Sequence, residues 1–237
     1  MKHVMKSERG FSILEIMVAI ALLGSVLAFA MQTTRRGESQ ATGRSNADAL
    51  SSFQQIAAQY FISNRSALEA AMDAGTEAGT KCLLNVNADG TGGTQANSTT
   101  KKTCAFDATL LRKMNLWPTG VSVDAPGGGR YVAILRRIYD TATPPVATGA
   151  VDMLVVVAQP DGVLTPVGPD AQRTEELASS MTTMGGIGGI VPVGDMGACA
   201  AVRGSATYQV CGNGWKVNLA DFVDATQVTT FSNALPN

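Results

Sequence analysis

The chain has 237 residues, of which 16% are charged, with a formal net charge of -1 and a mean hydropathy of +0.11. A length of this order fits one sizeable domain, or one domain with an appendage. The low charge and positive hydropathy exclude a highly charged disordered protein, and the near-neutral balance leaves no basic footprint for nucleic acid. The only histidine is His3.

An apolar run follows a short basic segment at the amino terminus. Residues 11–31 read FSILEIMVAIALLGSVLAFAM and contain one charged residue, Glu15. A helix of this length spans about 30 Å, the thickness of the hydrocarbon core of a bilayer. The basic MKHVMKSERG before it predicts insertion with the amino end in the cytoplasm. The run is either a signal peptide, for which residues 27–30 are a poor cleavage site, or an anchor with cleavage before it.

The junction between the two segments, residues 9–15, reads RGFSILE. It resembles the class III signal of type IV prepilins and of type II secretion pseudopilins. The resemblance implies that a prepilin peptidase cleaves between Gly10 and Phe11 and methylates the new amino terminus of Phe11. Residues 1–10 are then a leader peptide, and residues 11–31 are a transmembrane helix that becomes the filament core.

Glu15 is the single charge inside the apolar run, at the fifth position after the implied cleavage. An ionised carboxylate within a membrane is costly and needs a partner, unless it snorkels to the interface. The resemblance implies such a partner, the amino group of Phe11 in a neighbouring subunit. Pairing these charges at low dielectric would favour the correct register during filament growth, so we assign Glu15 to assembly.

Residues 32–74 are expected to form an amphipathic helix. Apolar side chains recur at spacings of three and four, namely Ala47, Leu50, Phe53, Ala57, Tyr60, Leu68 and Met72, with Ile56 and Phe61 widening the stripe. Such a stripe packs against another layer. A membrane-inserted half followed by an amphipathic half resembles the spine of the pilin fold. This implies an α+β fold with a long helix on an antiparallel sheet and a globular head at residues 75–237.

The first part of the head is dense in Gly, Asn and Thr, and we expect a loop-rich region up to residue 107. Within it, residues 85–90 (NVNADG) are similar to the start of a calcium loop. The twelfth position is Ala96 rather than Glu, which favours a plain turn. Asp107 is expected to cap a short helix that extends to Met114.

Strand patterns dominate the rest of the head. They predict strands over residues 130–139 and 151–158, and shorter ones over 207–211 and 215–219. A short helix is predicted over residues 174–184. The glycine-rich residues 185–192 lack the lysine and spacing of a phosphate loop, so a flexible connection is expected. Together these patterns predict an antiparallel sheet of four or more strands packed on the helix.

Four cysteines follow the anchor, which places all of them on the non-cytoplasmic side. Three pairings are possible, and Cys82–Cys104 with Cys199–Cys211 closes the shortest loops. We therefore predict these two disulfides. Zinc is the alternative, but the spacings are not those of a zinc finger or ribbon, and an oxidising compartment argues against it.

Catalysis is not expected. His3 lies in the leader, so a processed chain has no histidine for a nucleophile pair, a general base or a metal site, and oxidised cysteines supply no thiolate. We predict no enzyme activity, no cofactor and no metal. No contact with nucleic acid is predicted either.

The resemblance implies a type IV pilus subunit, inserted in the inner membrane with a periplasmic head, then cleaved, N-methylated and built into an extracellular helical filament. Such filaments serve adhesion, motility or DNA and conjugative transfer. The implied partners are prepilin peptidase, other pilin subunits, the inner-membrane assembly platform and membrane lipid. Residues 185–192 followed by GWKVNL are similar to minor, tip-located pilins of thin conjugative pili (PilV-type). The alternatives are a type II secretion pseudopilin and a bitopic membrane protein with a periplasmic ligand-binding domain.

Overall fold

The structure is a computed structural model that describes residues 13–126, 129–158, 171–190 and 209–223; the side chains of residues 13–16, 19, 171–175 and 190 lie outside that description. The helices are α1 (Ile13–Ser63), α2 (Arg65–Asp73), α3 (Ala78–Lys81), α4 (Ala108–Lys113) and α5 (Ala171–Met184). The strands are β1 (Leu83–Leu84), β2 (Thr94–Gln95), β3 (Asn97–Ser98), β4 (Thr103–Asp107), β5 (Arg130–Tyr139), β6 (Ala147–Ala158), β7 (Gly189–Ile190), β8 (Gln209–Gly212) and β9 (Trp215–Asn218).

The helix α1 is 51 residues long and continues almost directly into α2. Only Asn64 separates them, and its N–H still donates to the Tyr60 carbonyl at 3.0 Å. The Leu68 N–H in turn donates to the Asn64 carbonyl at 2.9 Å. The helical rhythm of the sequence therefore corresponds to two consecutive helices that end at Asp73.

The predicted apolar stripe is the face that packs on the sheet. Its members Phe53, Ala57, Tyr60, Leu68 and Met72 are fully buried in the core against the sheet, whereas Ala47, which is 2% exposed, lies outside that core. The flanking Leu50, Ile56 and Phe61 are partly buried against the same core. Phe53 stacks on Tyr131 and Tyr60 contacts Phe106 edge to face, with ring centroids 5.7 and 4.7 Å apart. Burial of this stripe is the main force that holds the helices on the sheet.

The central sheet has four antiparallel strands in the order β3-β4-β5-β6. Side chains alternate between its two faces, as strand geometry requires. Tyr131, Ala133 and Leu135 face the helices, and Val132 and Ile134 face a second core. This long helix on an antiparallel sheet confirms the predicted α+β fold.

The second core lies between the outer face of the sheet and the carboxyl-terminal strands. A separate three-stranded sheet, β7-β8-β9, is followed by a short 3-10 helix, Leu219–Asp221. Val210, Leu219, Phe222 and Val223 pack there against side chains of the central sheet. Arg136 of β5 joins the two units, since its guanidinium lies over the Phe222 ring at 4.8 Å and reaches Asp152 and Asp221 at 2.8 and 3.3 Å.

The region between α2 and β4 differs from the expected loop. It contains α3 and three two-residue strands, and β1 pairs with β2 while β3 joins the central sheet. The predicted Cys82–Cys104 disulfide is present with both side chains fully buried. It ties this region to β4. Short pairings of two residues carry little sequence signal, which is why composition alone indicated a loop.

The glycine-rich connection is ordered where it is described, so the expected flexible connection is wrong for residues 185–190. It forms a 3-10 turn, Gly185–Ile187, and the strand β7, which pairs with β8. A Cβ atom on Gly189 would lie 2.6 Å from the Trp215 ring, and the Trp215 Nε1 donates to the Gly186 carbonyl at 2.7 Å. Glycine is needed here for close packing of the indole, rather than for mobility.

Candidate functional site

The amino-terminal helix carries the residues for which processing and assembly are predicted. Gly10, Phe11 and the leader with His3 lie outside the described residues. Glu15 falls within α1, two residues after its start, but its side chain is not among those described. The structure thus places Glu15 on a helix that is described from Ile13 and continues into the head.

The apolar part of α1 is uncovered by the head. Its large side chains Met17, Val18, Ile20, Leu22, Leu23, Val26, Leu27, Phe29 and Met31 are all more than half exposed, with Phe29 at 69%. They are distributed around the helix rather than along one stripe. An apolar surface of this extent needs lipid or other helices to cover it.

Helices in the described part of the chain include none that is sufficiently long and apolar to cross a membrane.

The head first meets α1 through α5, a contact that the sequence did not indicate. The Ser180 hydroxyl donates to the Gly43 carbonyl at 2.7 Å, and the Ser179 hydroxyl donates to the Gln40 carbonyl at 3.3 Å. Ser39, Gly43 and Ala47 are buried on this face, one helical turn apart. Small residues at this spacing let two helices approach closely, and this spacing was the only signal available in the sequence.

Ion pairs hold α2 to the end of β5. Arg137 reaches Glu69 at 3.2 Å and also pairs with Asp73. The Tyr139 hydroxyl donates to Asp73, and the Lys102 ammonium lies 5.7 Å from the centre of the Tyr139 ring. Burial, followed by the hydrogen bond to Asp73, raises the pKa of Tyr139 above its ordinary value. This polar cluster, referred to below as the clamp, connects α2, β5 and the turn before β4, and it stabilises their packing.

The described cysteines of the head are held in disulfides, and two of its tyrosines are buried in the core. Cys82, Cys104 and Cys211 are disulfide-bonded, and Cys199 lies outside the described residues, so the Cys199–Cys211 pair stays a prediction. Burial raises the pKa values of Tyr60 and Tyr131 as well. Within the described ranges, no three His, Cys, Asp or Glu side chains cluster in a way that could hold a metal ion.

The turn at residues 85–90 is present in the structure. The Gly90 N–H donates to the Asn87 carbonyl at 2.9 Å, and Asp89 Oδ1 accepts from the Thr91 N–H at 2.8 Å. The Thr91 hydroxyl is the main cause that lowers the pKa of Asp89. Asn85 Oδ1, which a calcium loop would direct at the ion, accepts from the Arg130 guanidinium instead. A guanidinium beside that oxygen opposes a bound cation.

Comparisons with known proteins identify one segment of the chain. No curated protein and no solved structure matches it. Residues 5–31 match the protein family described as the prokaryotic N-terminal methylation motif. That range contains Gly10, Phe11 and Glu15, and it supports a type IV pilin-like protein or a pseudopilin and points to a structural subunit. The amino terminus of this chain is therefore a prokaryotic N-terminal methylation motif, the class III signal of type IV pilins.

Proposed function

We propose that the chain is a type IV pilus subunit, cleaved between Gly10 and Phe11, methylated on Phe11 and assembled through α1 into a helical surface filament. The observation that carries this proposal is the continuity between the methylation motif and α1. The motif covers residues 5–31, and α1 starts at Ile13 and runs into the head at residue 63. One rigid element thus links the processing signal to the globular domain.

The exposed apolar surface of α1 supports the second part of the proposal. The large described side chains from Met17 to Met31 are all more than half exposed, so the fold leaves most of their burial to another environment. Lipid covers them before assembly and neighbouring helices cover them in the filament. Transfer between these environments keeps the apolar surface out of water, and close packing of helices then stabilises the filament.

Glu15 determines the register of assembly in this proposal. Its carboxylate pairs with the methylated amino group of Phe11 on a neighbouring subunit. An unpaired charge of either sign inside the helix bundle is strongly unfavourable, so a subunit that enters out of register is disfavoured. The partners of the chain are prepilin peptidase, other pilin subunits and the inner-membrane assembly platform. Its location changes from the inner membrane, with a periplasmic head, to an extracellular pilus.

The pseudopilin alternative shares the same signal and the same long helix, so the filament itself distinguishes the two. Antibody against the head, labelled with gold, is applied to sheared surface filaments in the electron microscope. Labelling along the shaft indicates a major pilin, and labelling only at filament ends indicates a minor pilin such as a tip subunit. Secreted filaments without label, in cells that process the chain, contradict the pilus proposal and favour a pseudopilin.

Processing is tested first by the intact mass of the chain recovered from membranes. We expect loss of the ten residues MKHVMKSERG and the gain of one methyl group on Phe11. A bulky residue in place of Gly10 should leave the leader attached, because it blocks the peptidase. An uncleaved wild-type chain, or cleavage after Ala30, contradicts the proposal and favours a bitopic protein or an ordinary exported one.

The role of Glu15 is tested by Glu15→Ala, with Glu38→Ala as the matched control. Glu38 is an exposed glutamate on the same helix, beyond the apolar segment. We expect Glu15→Ala to be inserted and cleaved normally but to be lost from sheared filaments, whereas Glu38→Ala is incorporated like the wild type. Equal incorporation of both variants would exclude the charge pair as the device that determines register.

A further inference from the structure

An open cleft of about 810 Å³ lies on the head, away from the apolar part of α1. One wall is the turn at residues 85–90, and the other is the second half of α4 with Asn115. Val123 and Arg130 also line the cleft. The proposed filament function does not use this cleft, so a ligand site here is independent of that function.

The walls of the cleft are held in place before any ligand arrives. The N–H groups of Asn85 and Val86 donate to Asp107 Oδ2 and to the Thr109 hydroxyl, both at 2.8 Å. Asp107 also caps α4, accepting from the Thr109 and Leu110 N–H groups. The turn and the helix are therefore joined by the same buried carboxylate. A preformed site loses little conformational entropy when it binds.

The charges that line the cleft leave two cations without carboxylate partners. Arg130 is neutralised, because Asp124 lies 2.9 Å and Asp107 lies 3.6 Å from its guanidinium. Arg112 donates to the Val121 carbonyl, and among the described residues its buried Nε has no hydrogen-bond partner. In the part of the chain that is described, neither Arg112 nor Lys113 forms a salt bridge. The residues that line the cleft thus include three cations, Arg112, Lys113 and Arg130, and one carboxylate, Asp89, on the rim.

Lys113 is positioned by the turn that faces it. Its side-chain carbons run along Gly90, where a Cβ atom would lie 3.7 Å from the Lys113 Cγ. The stem therefore packs on the turn, and the exposed side chain of Lys113 lines the cleft. Asn115 adopts a left-handed backbone, with φ of 56°, that asparagine tolerates better than most residues.

The cleft is far larger than a simple ion. Its volume falls within the range of roughly 300 to 1,000 Å³ that holds a small organic ligand. The lining also offers side-chain amides from Asn87 and Asn115, which can donate to and accept from hydroxyl groups. Positive charge combined with paired donors and acceptors suits a ligand that carries both a carboxylate and several hydroxyls.

We propose that this cleft binds an acidic saccharide. Lys113 and Arg112 hold the sugar carboxylate, while Asn87 and Asn115 contact the ring hydroxyls. The proposal replaces the calcium ion that the sequence of the turn suggested as an alternative. The same residues 85–90 form one wall, but Arg112 and Lys113 on the opposite wall favour a negatively charged ligand.

The test uses the full-length processed protein in non-ionic detergent and isothermal titration calorimetry with trigalacturonate. Galactotriose is the neutral trisaccharide control, and inorganic phosphate is the small-anion control. We expect trigalacturonate to bind at least tenfold more tightly than either control and to weaken as salt increases, because the charge contact is screened. Lys113→Gln should weaken trigalacturonate about tenfold, as expected for loss of a charge-assisted contact.

Two further variants test whether the binding of trigalacturonate depends on the charges of the cleft. Lys101→Gln removes another exposed lysine that does not line the cleft, and the affinity of this variant should equal that of the wild type. Asp89→Asn retains the acceptor for Thr91 but removes the negative charge on the rim, so it should bind trigalacturonate several-fold more tightly. Absence of binding, equal binding of galactotriose, equal binding of phosphate, or unchanged affinity in Lys113→Gln each overturns the proposal.

Discussion

The Ser180 hydroxyl donates to the Gly43 carbonyl at 2.7 Å, across the contact between α5 and α1. The contact requires glycine at position 43. A Cβ atom there would lie 2.6 Å from the Glu176 carbonyl oxygen and 2.7 Å from the Ser179 Cβ. Both neighbours belong to the body of α5 and cannot move independently of it. The lack of a side chain at Gly43 therefore allows α5 to pack closely on α1. This contact lies on the carboxyl-terminal side of the exposed apolar part of α1.

Gly43→Ala should loosen α5 while Gly37→Ala should stabilise α1. Overpacking costs about 1–3 kcal/mol, which outweighs the gain of about 1 kcal/mol in helix propensity at position 43. At Gly37 no atom lies within 4 Å of the added Cβ, so only the gain remains. Hydrogen exchange over residues 171–184 should increase in Gly43→Ala alone. Equal protection in both variants would show that α5 does not depend on this close approach.

The Cys82–Cys104 disulfide should account for a large share of the stability of the head. It joins residues 22 apart, and a loop of this size contributes about 3 kcal/mol in the chain-entropy model. We expect the double variant Cys82→Ala, Cys104→Ala to unfold at a lower urea concentration by a corresponding amount. Reduction of the wild type should have a similar effect. An unchanged urea midpoint in the double variant would contradict this estimate.

Arg137 should matter more for stability than the neighbouring Arg65, although both contact Glu69. The Arg137 side chain is 16% exposed and bridges Glu69 and Asp73, whereas that of Arg65 is 53% exposed. Arg137→Gln removes the mostly buried cation that pairs with the carboxylates of Glu69 and Asp73. The variant should therefore lose about 2–4 kcal/mol of unfolding free energy. Arg65→Gln should cost at most about 1 kcal/mol. Urea unfolding of the two variants compares them directly, and similar losses would argue against a clamp at Arg137.

The stability of the head should fall at high pH because buried tyrosines resist ionisation. Burial raises the pKa of Tyr60, whose hydroxyl donates to the Lys81 carbonyl at 3.2 Å. The folded state therefore keeps a proton that the unfolded state loses above a pH of about 10. The contribution is fully present below that pH and is lost as pH rises further. Acid pH should leave this contribution intact.

Tyr60→Phe isolates that effect. At pH 8 the variant should be less stable by about 1 kcal/mol, because it lacks the hydrogen bond to Lys81. Between pH 9.5 and 11 it should lose less stability than the wild type, so the two unfolding curves converge. Circular dichroism in urea at each pH provides the measurement. Parallel loss in both proteins would mean that the ionisation of Tyr60 is not linked to unfolding.

Local sequence signals determined several elements of this protein correctly. The spacing of apolar residues indicated the buried stripe from Ala47 to Met72, because helix geometry places those positions on one face. The strand predicted over residues 130–139 corresponds to β5, and Asp107 caps α4 as expected. The motif around Gly10 and Phe11 was also visible in sequence alone, and its match covers residues 5–31.

Features that depend on contacts between distant segments became visible only in the tertiary structure. Gly43 contacts Ser180, and Gly189 packs against Trp215. The residue spacing within one segment does not indicate which distant segment it will contact. The sequence of the turn at residues 85–90 was compatible with a bound cation. In the folded protein, however, the guanidinium of Arg130, 45 residues from Asn85, lies beside this turn. Local patterns reflect the geometry of one helix or strand, whereas these pairings depend on how whole layers pack. The sequence thus determined the signal and the helix, and the folded head determined the docking of α5 and the charge of the cleft.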